Sequence, residues 1–82
     1  MKTSTYTKAD SVFREFLKEL REEQNLTQAQ LAKRLDVPQR YVSKFETGER
    51  NLNFVETNLV CDALGVNLTK FAARFSVRLA KS

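Results

Sequence analysis

The stretch from Thr27 to Thr47 constrains the fold most, because it encodes two short helices with almost no chain between them. Thr27 is placed to cap the first. Its hydroxyl can accept the N–H of Gln30, whose side chain can reach back, a T-x-x-Q capping box. Leu31, Ala32 and Leu35 then follow at the spacing of one helix face. The helix is expected to end at Leu35 or Asp36, since aspartate tolerates the left-handed conformation that a tight turn needs. Val37 anchors the turn. Pro38 suits the entrance of the next helix, where its missing N–H costs little. Val42 and Phe45 point inward at i and i+3, and Gly48 stops the helix.

The rest of the chain repeats the helical period. A first helix is expected to begin between Thr7 and Ser11 and to end near Gln24, with Asn25 as a left-handed stop. Its apolar face is Phe13, Phe16, Leu17 and Leu20. A fourth helix spans Asn53 to Leu64, with Phe54 or Val55, then Leu59, Val60, Ala63 and Leu64 supplying apolar contacts and Gly65 as its stop. A fifth begins after the capping residue Asn67. Leu68, Phe71, Ala72, Phe75 and Leu79 form its apolar stripe, and Lys70, Arg74 and Arg78 recur on another face. No segment alternates as a strand would. The expectation is an all-α, five-helix domain over residues 8–82, preceded by a disordered tail over residues 1–7.

Composition narrows the function classes. An 82-residue chain suggests one domain with a thin core. The single cysteine, Cys61, excludes an intramolecular disulfide and a Cys-rich metal site. There is no histidine, so the usual general base and metal ligand is missing, and two glycines make no phosphate loop. No enzyme activity and no cofactor are expected. No run approaches the ~18 apolar residues of a membrane span. Nothing resembles a signal peptide either, so the expected compartment is the cytoplasm and no membrane partner is expected. A net charge of +4 favours polyanion partners, and the segment from Thr69 to Ser82 carries four bases and no acid.

Two short helices joined by about three residues of turn meet the geometric requirement of a helix-turn-helix. In that arrangement the second helix lies in the DNA major groove with its N-terminal residues at base edges. Here it would expose Gln39, Arg40, Ser43 and Lys44, all hydrogen-bond donors. Gln suits adenine, Arg suits guanine, Lys suits guanine or phosphate, and Ser is versatile.

The segment L-T-Q-A-Q-L-A-K-R-L-D-V-P-Q-R-Y-V-S-K-F-E-T-G-E-R-N, Leu26 to Asn51, resembles the phage-repressor/Cro-like helix-turn-helix family of transcription regulators. The likeness extends to L-K-E-L-R upstream and A-L-G-V-N-L downstream, covering roughly residues 12 to 75. It implies that Gln39, Arg40, Ser43 and Lys44 contact bases. It also implies that Gln28, Arg50 and Asn51 contact the DNA backbone, and that Arg21 and Glu46 form a structural salt bridge. Two positions depart from the family: Asp36 stands for the usual turn glycine and Pro38 for the usual Ser/Thr cap. Tyr41, larger than the family's usual residue, either packs on sugar-phosphate or covers the core.

Other residues keep two readings. Cys61 is a small core residue or a redox sensor. The bases of the last helix are a solubilising face or extra phosphate contacts. The Phe71–Phe75 stripe closes the core, or Phe71, Phe75 and Leu79 meet a second copy of the chain. The expected function is a regulator of transcription, a repressor acting as a homodimer on a pseudo-palindromic operator in double-stranded DNA. Phage repressors, restriction-modification controllers and antitoxins share this build. An antitoxin would bind a toxin partner as well as DNA.

Overall fold

The computed structural model describes residues 3–82, with side chains from Lys8 onward. It consists of α1 (Thr3–Glu23), α2 (Gln28–Leu35), α3 (Gln39–Thr47), α4 (Phe54–Ala63) and α5 (Leu68–Lys81). The first helix starts at Thr3, ahead of the expected Thr7–Ser11 window; Thr3 to Thr7 holds no proline or glycine to interrupt it. Of the expected disordered tail, Met1 and Lys2 lie outside the described residues.

Each junction is closed by a specific backbone device. Asn25 ends α1 in the left-handed region at φ 57°. Leu26 N–H returns to the carbonyl of Arg21 and Asn25 N–H to that of Glu22. Thr27 caps α2 with both halves of the capping box: its hydroxyl accepts Gln30 N–H at 3.1 Å, and its own N–H donates to Gln30 Oε1 at 2.8 Å. Asp36 takes the left-handed position at φ 58°, sending its N–H back to Ala32 and Lys33 carbonyls. The aspartate thus does the work of the glycine it replaces. Gly48 ends α3 at φ 91°, where an added Cβ would crowd the Arg14 guanidinium at 3.1 Å.

The sequence reading missed one cap. Asn53 and Glu56 form a second capping box, with Asn53 Oδ1 accepting Glu56 N–H at 2.8 Å and Glu56 Oε1 accepting Asn53 N–H at 2.9 Å. The N-x-x-E spacing is readable by the rule that found Thr27.

One core joins all five helices. Phe16, Leu17 and Leu20 of α1 meet Leu31 and Ala32 of α2, Val42 and Phe45 of α3, Val60 and Cys61 of α4 with Leu64 just beyond it, and Phe71 of α5. Phe71 stacks on Phe16 with ring centroids 5.1 Å apart and meets Phe13 edge-on at 6.0 Å. Burial, then Asp62, pushes the Cys61 thiol up to about 11, so it stays protonated as a core residue near neutral pH.

The structure corrects the reading of α4. Thr57, Val60, Cys61 and Leu64 face inward, and this phase turns Phe54, Val55 and Leu59 out to solvent at 75%, 66% and 55% exposure. Their apolar character had suggested core contacts; the helix has room for only one inward face.

Because the Thr27 hydroxyl accepts one of the orphan N–H groups at the start of α2, Thr27→Ala is expected to lower stability by about 1 kcal/mol. A urea melt at constant m-value checks it; no change in midpoint would show the box to be redundant.

Candidate nucleic-acid interface

The candidate surface is built on α3, whose buried side is Val42 and Phe45. That phase exposes Gln39, Arg40 and Lys44 and leaves Ser43 half-buried. Pro38 precedes the helix at φ −64°, ψ 153° and makes no side-chain cap bond. The first hydrogen bond runs from Tyr41 N–H to the Pro38 carbonyl at 3.0 Å. The proline therefore sets the backbone for helix entrance through its ring while leaving the first amides of α3 without a side-chain acceptor.

A chain of polar contacts fixes α3 against α1 and α2. Arg21 donates from Nε and Nη2 to the two oxygens of Glu46, at 2.7 and 3.0 Å, and from Nη1 to the Leu26 carbonyl at 2.7 Å. Both side chains are buried, at 9% and 3% exposure. The Glu46 bond, opposed by burial, raises the Arg21 pKa above its ordinary value. Glu46 Oε1 also accepts Gln28 Nε2 at 2.9 Å. Gln28 Oε1 in turn meets Gln39 Nε2 at 3.5 Å, a long contact at the edge of the α3 surface. The expected Arg21–Glu46 pair is thus present in fork geometry, and it holds Gln28, one of the residues expected to meet DNA.

A second cluster lies at the other side of α3. Tyr41 O–H donates to Glu56 Oε2 at 3.2 Å, and Arg50 Nη2 donates to the same oxygen at 2.5 Å. The Arg50 guanidinium sits 4.5 Å from the centre of the Tyr41 ring. Burial, then the Glu56 carboxylate, pushes the Tyr41 phenol above its ordinary pKa. Of the two readings for Tyr41, partial burial against Phe45 and commitment to Glu56 favour a covering role. Pro38, Arg40, Tyr41, Lys44 and Arg50 line a surface recess of about 240 Å³. Asn51 lies exposed in the loop that follows Arg50.

A sequence model of the helix-turn-helix family matches residues 17–71, two thirds of the chain. The chain belongs to the helix-turn-helix family. Solved helix-turn-helix proteins share its fold. A restriction-modification controller protein, C.Esp1396I, superposes with a TM-score of 0.83 at 26% identity, covering 90% of this chain and 96% of that one. An XRE-family like protein from Pseudomonas syringae pv. tomato gives 0.85 at 28% identity, covering 90% of each. The clp gene regulator ClgR from Corynebacterium glutamicum, at 22% identity, covers 88% of this chain and 77% of its own with a TM-score of 0.75, a likeness of fold. A search of curated proteins found no significant match. This helix-turn-helix chain is a DNA-binding transcription regulator. Among the described residues no helix is long and apolar enough to cross a membrane.

The remaining expected residues fall elsewhere in this helix-turn-helix domain. Phe71, read either as closing the core or as part of a contact between two copies, is 3% exposed and belongs to the core, because the Phe13 and Phe16 rings fill the space around it. Phe75 is half-buried against Phe13, with ring centroids 5.8 Å apart, and Leu79 is 36% exposed. Arg78 forks onto Glu19 at 2.6 and 3.0 Å and lies 4.3 Å from the Phe16 ring centre, so it clamps α5 to α1. Arg74 covers the same ring at 5.1 Å. Among the described residues the exposed Lys70 makes no ion pair.

Removing one partner of a buried ion pair strands the other's charge. Glu46→Ala is therefore expected to destabilise the domain by about 3–5 kcal/mol. Chemical denaturation reads this directly, and a loss below about 1 kcal/mol would show that water reaches Arg21 freely.

Proposed function

We propose that the protein is a sequence-specific repressor that binds a pseudo-palindromic operator as a homodimer, with α3 in the major groove. The observation that carries the reading is the phase of α3. Val42 and Phe45 anchor it in the core, which leaves Gln39, Arg40 and Lys44 as an exposed row of donors with no acid among them. Arg40 is proposed to read guanine, Gln39 adenine, and Ser43 and Lys44 a base or the adjoining phosphate. Gln28, steadied by Glu46, is proposed to grip phosphate, with Arg50 and Asn51 following the backbone from the loop and Tyr41 supporting Arg50. Repression by obstructing polymerase is the simplest consequence of such binding.

Arg40→Ala is expected to weaken cognate binding by about 1–3 kcal/mol and to relax specificity at one base pair. Gln28→Ala should weaken binding evenly across sequences. Selection of bound duplexes from a random pool supplies the site, and titration of both variants against it checks the assignment. Wild-type affinity in both would remove α3 from the groove.

For the dimer, α4 supports a different surface from the one expected on α5. Helix α4 carries apolar side chains on both its buried and its exposed side. Thr57, Val60 and Cys61 are buried, while Phe54, Val55 and Leu59 share an arc of about 140° on the exposed side. The exposed Asn58 and Asp62 interleave with these three side chains in the same arc, so the face mixes large apolar and polar groups as surfaces that meet a partner do. The partner proposed for this face is a second copy of the chain. The domain measures 34 × 25 × 22 Å, so two copies side by side can set their recognition helices about 34 Å apart, one turn of DNA. Sedimentation is expected to give a dimer for the wild type and a monomer for the double variant Phe54→Asp, Leu59→Asp, which forfeits about 2 kcal/mol for each large side chain otherwise buried. A wild-type monomer both free and on DNA would overturn the dimer.

A further inference from the structure

Glu56 carries no role in the family likeness, yet its carboxylate joins three parts of the surface just described. Oε1 accepts Asn53 N–H at 2.9 Å and so belongs to the α4 cap. Oε2 accepts Tyr41 O–H from α3 at 3.2 Å and Arg50 Nη2 from the intervening loop at 2.5 Å. The capping bond fixes the carboxylate from behind, and the Tyr41 ring lies beneath the guanidinium it holds. The Asn53 N–H, then Arg50, keep the Glu56 pKa below its ordinary value, so it is charged at neutral pH. Arg40, Lys44 and Arg50 line one recess with Tyr41. Among the described residues, Arg50 alone of these three cations is bonded to a carboxylate.

We infer that Glu56 is a positioning residue of the DNA-binding surface, holding Arg50 over Tyr41 and offsetting its charge so that Arg50 contributes less to non-specific than to cognate binding. The inference rests on the proposed placement of α3 and Arg50 against DNA. Non-specific binding draws almost wholly on charge, through release of counterions from phosphate. A carboxylate fixed beside Arg50 repels the same phosphate that Arg50 attracts. The phosphate must then displace or share the guanidinium, and that exchange is repaid best when the base contacts of α3 hold the backbone in register. Glu56 in this way favours discrimination at the expense of bulk affinity.

The test is Glu56→Gln, which retains a side-chain oxygen to accept Asn53 N–H and so preserves the capping box. Binding is measured over a salt series on a random-sequence duplex and on a duplex selected from a random pool, beside Arg50→Gln and the double variant. Thermal melts confirm that each is folded. Glu56→Gln is expected to bind the random duplex several-fold tighter and the selected duplex with a smaller gain. The slope of log K against log salt should steepen by about 0.9, one further phosphate neutralised. The double variant should match Arg50→Gln alone. An unchanged slope in folded Glu56→Gln overturns the inference, as does an equal gain when Arg50 is absent. If Arg50→Gln loses affinity while Glu56→Gln changes nothing, Arg50 stays at the interface and Glu56 leaves it. If neither variant differs from wild type, the placement of Arg50 fails as well.

Discussion

The buried fork between Arg21 and Glu46 is the constraint on which the exposed surface of α3 depends. The pair sits where α1, α2 and α3 converge, and taking two charges out of water is costly unless their hydrogen bonds are all made. Here Glu46 accepts from Arg21 Nε, Arg21 Nη2 and Gln28 Nε2, and the remaining Arg21 Nη1 finds the Leu26 carbonyl. Each partner comes from a different helix or turn. Sliding α3 by one residue would carry Glu46 out of reach of the fork and Val42 and Phe45 out of the core together. Polar geometry and apolar packing therefore demand the same register.

That register determines what α3 offers to solvent. With Val42 and Phe45 inward, Gln39, Arg40 and Lys44 face out, and Gln28 is brought beside Gln39. A similar economy appears on the other flank, where one carboxylate from α4 caps its own helix and meets both Tyr41 and Arg50. Helix α3 is held from both sides through acids, Glu46 buried and Glu56 at the rim, while its exposed row stays free of them. Charge placement rather than the modest net charge of +4 gives the surface its character.

Local chemistry made much of this legible in advance. Caps and stops act over three or four residues, so Thr27 with Gln30, Asn25, Asp36, Gly48 and Asn67 could be read directly and stand where expected. The core faces of α1, α2 and α3 followed from periodicity. Periodicity failed for α4, because Phe54, Val55 and Leu59 compete with Val60, Ala63 and Leu64 for the inward face. A pattern apolar on both sides has no preferred phase of its own, and the neighbours that receive it must choose. The start of α1 was also set too late, since Thr7 and Ser11 are good caps that the helix simply runs through.

The sequence by itself determined the five helices, most of their ends, the helix-turn-helix and, through the family likeness, the pairing of Arg21 with Glu46, because each rests on short-range bonding or on a motif spread over many positions. Only the tertiary structure decided that Phe71 belongs to the core, that Arg78 clamps Glu19, that Tyr41 and Arg50 converge on Glu56, and that α4 turns an apolar face outward. These are contacts between residues six to fifty-nine positions apart, as from Arg50 to Glu56 and from Glu19 to Arg78. Their partners are selected by how helices pack, and no local preference encodes that choice.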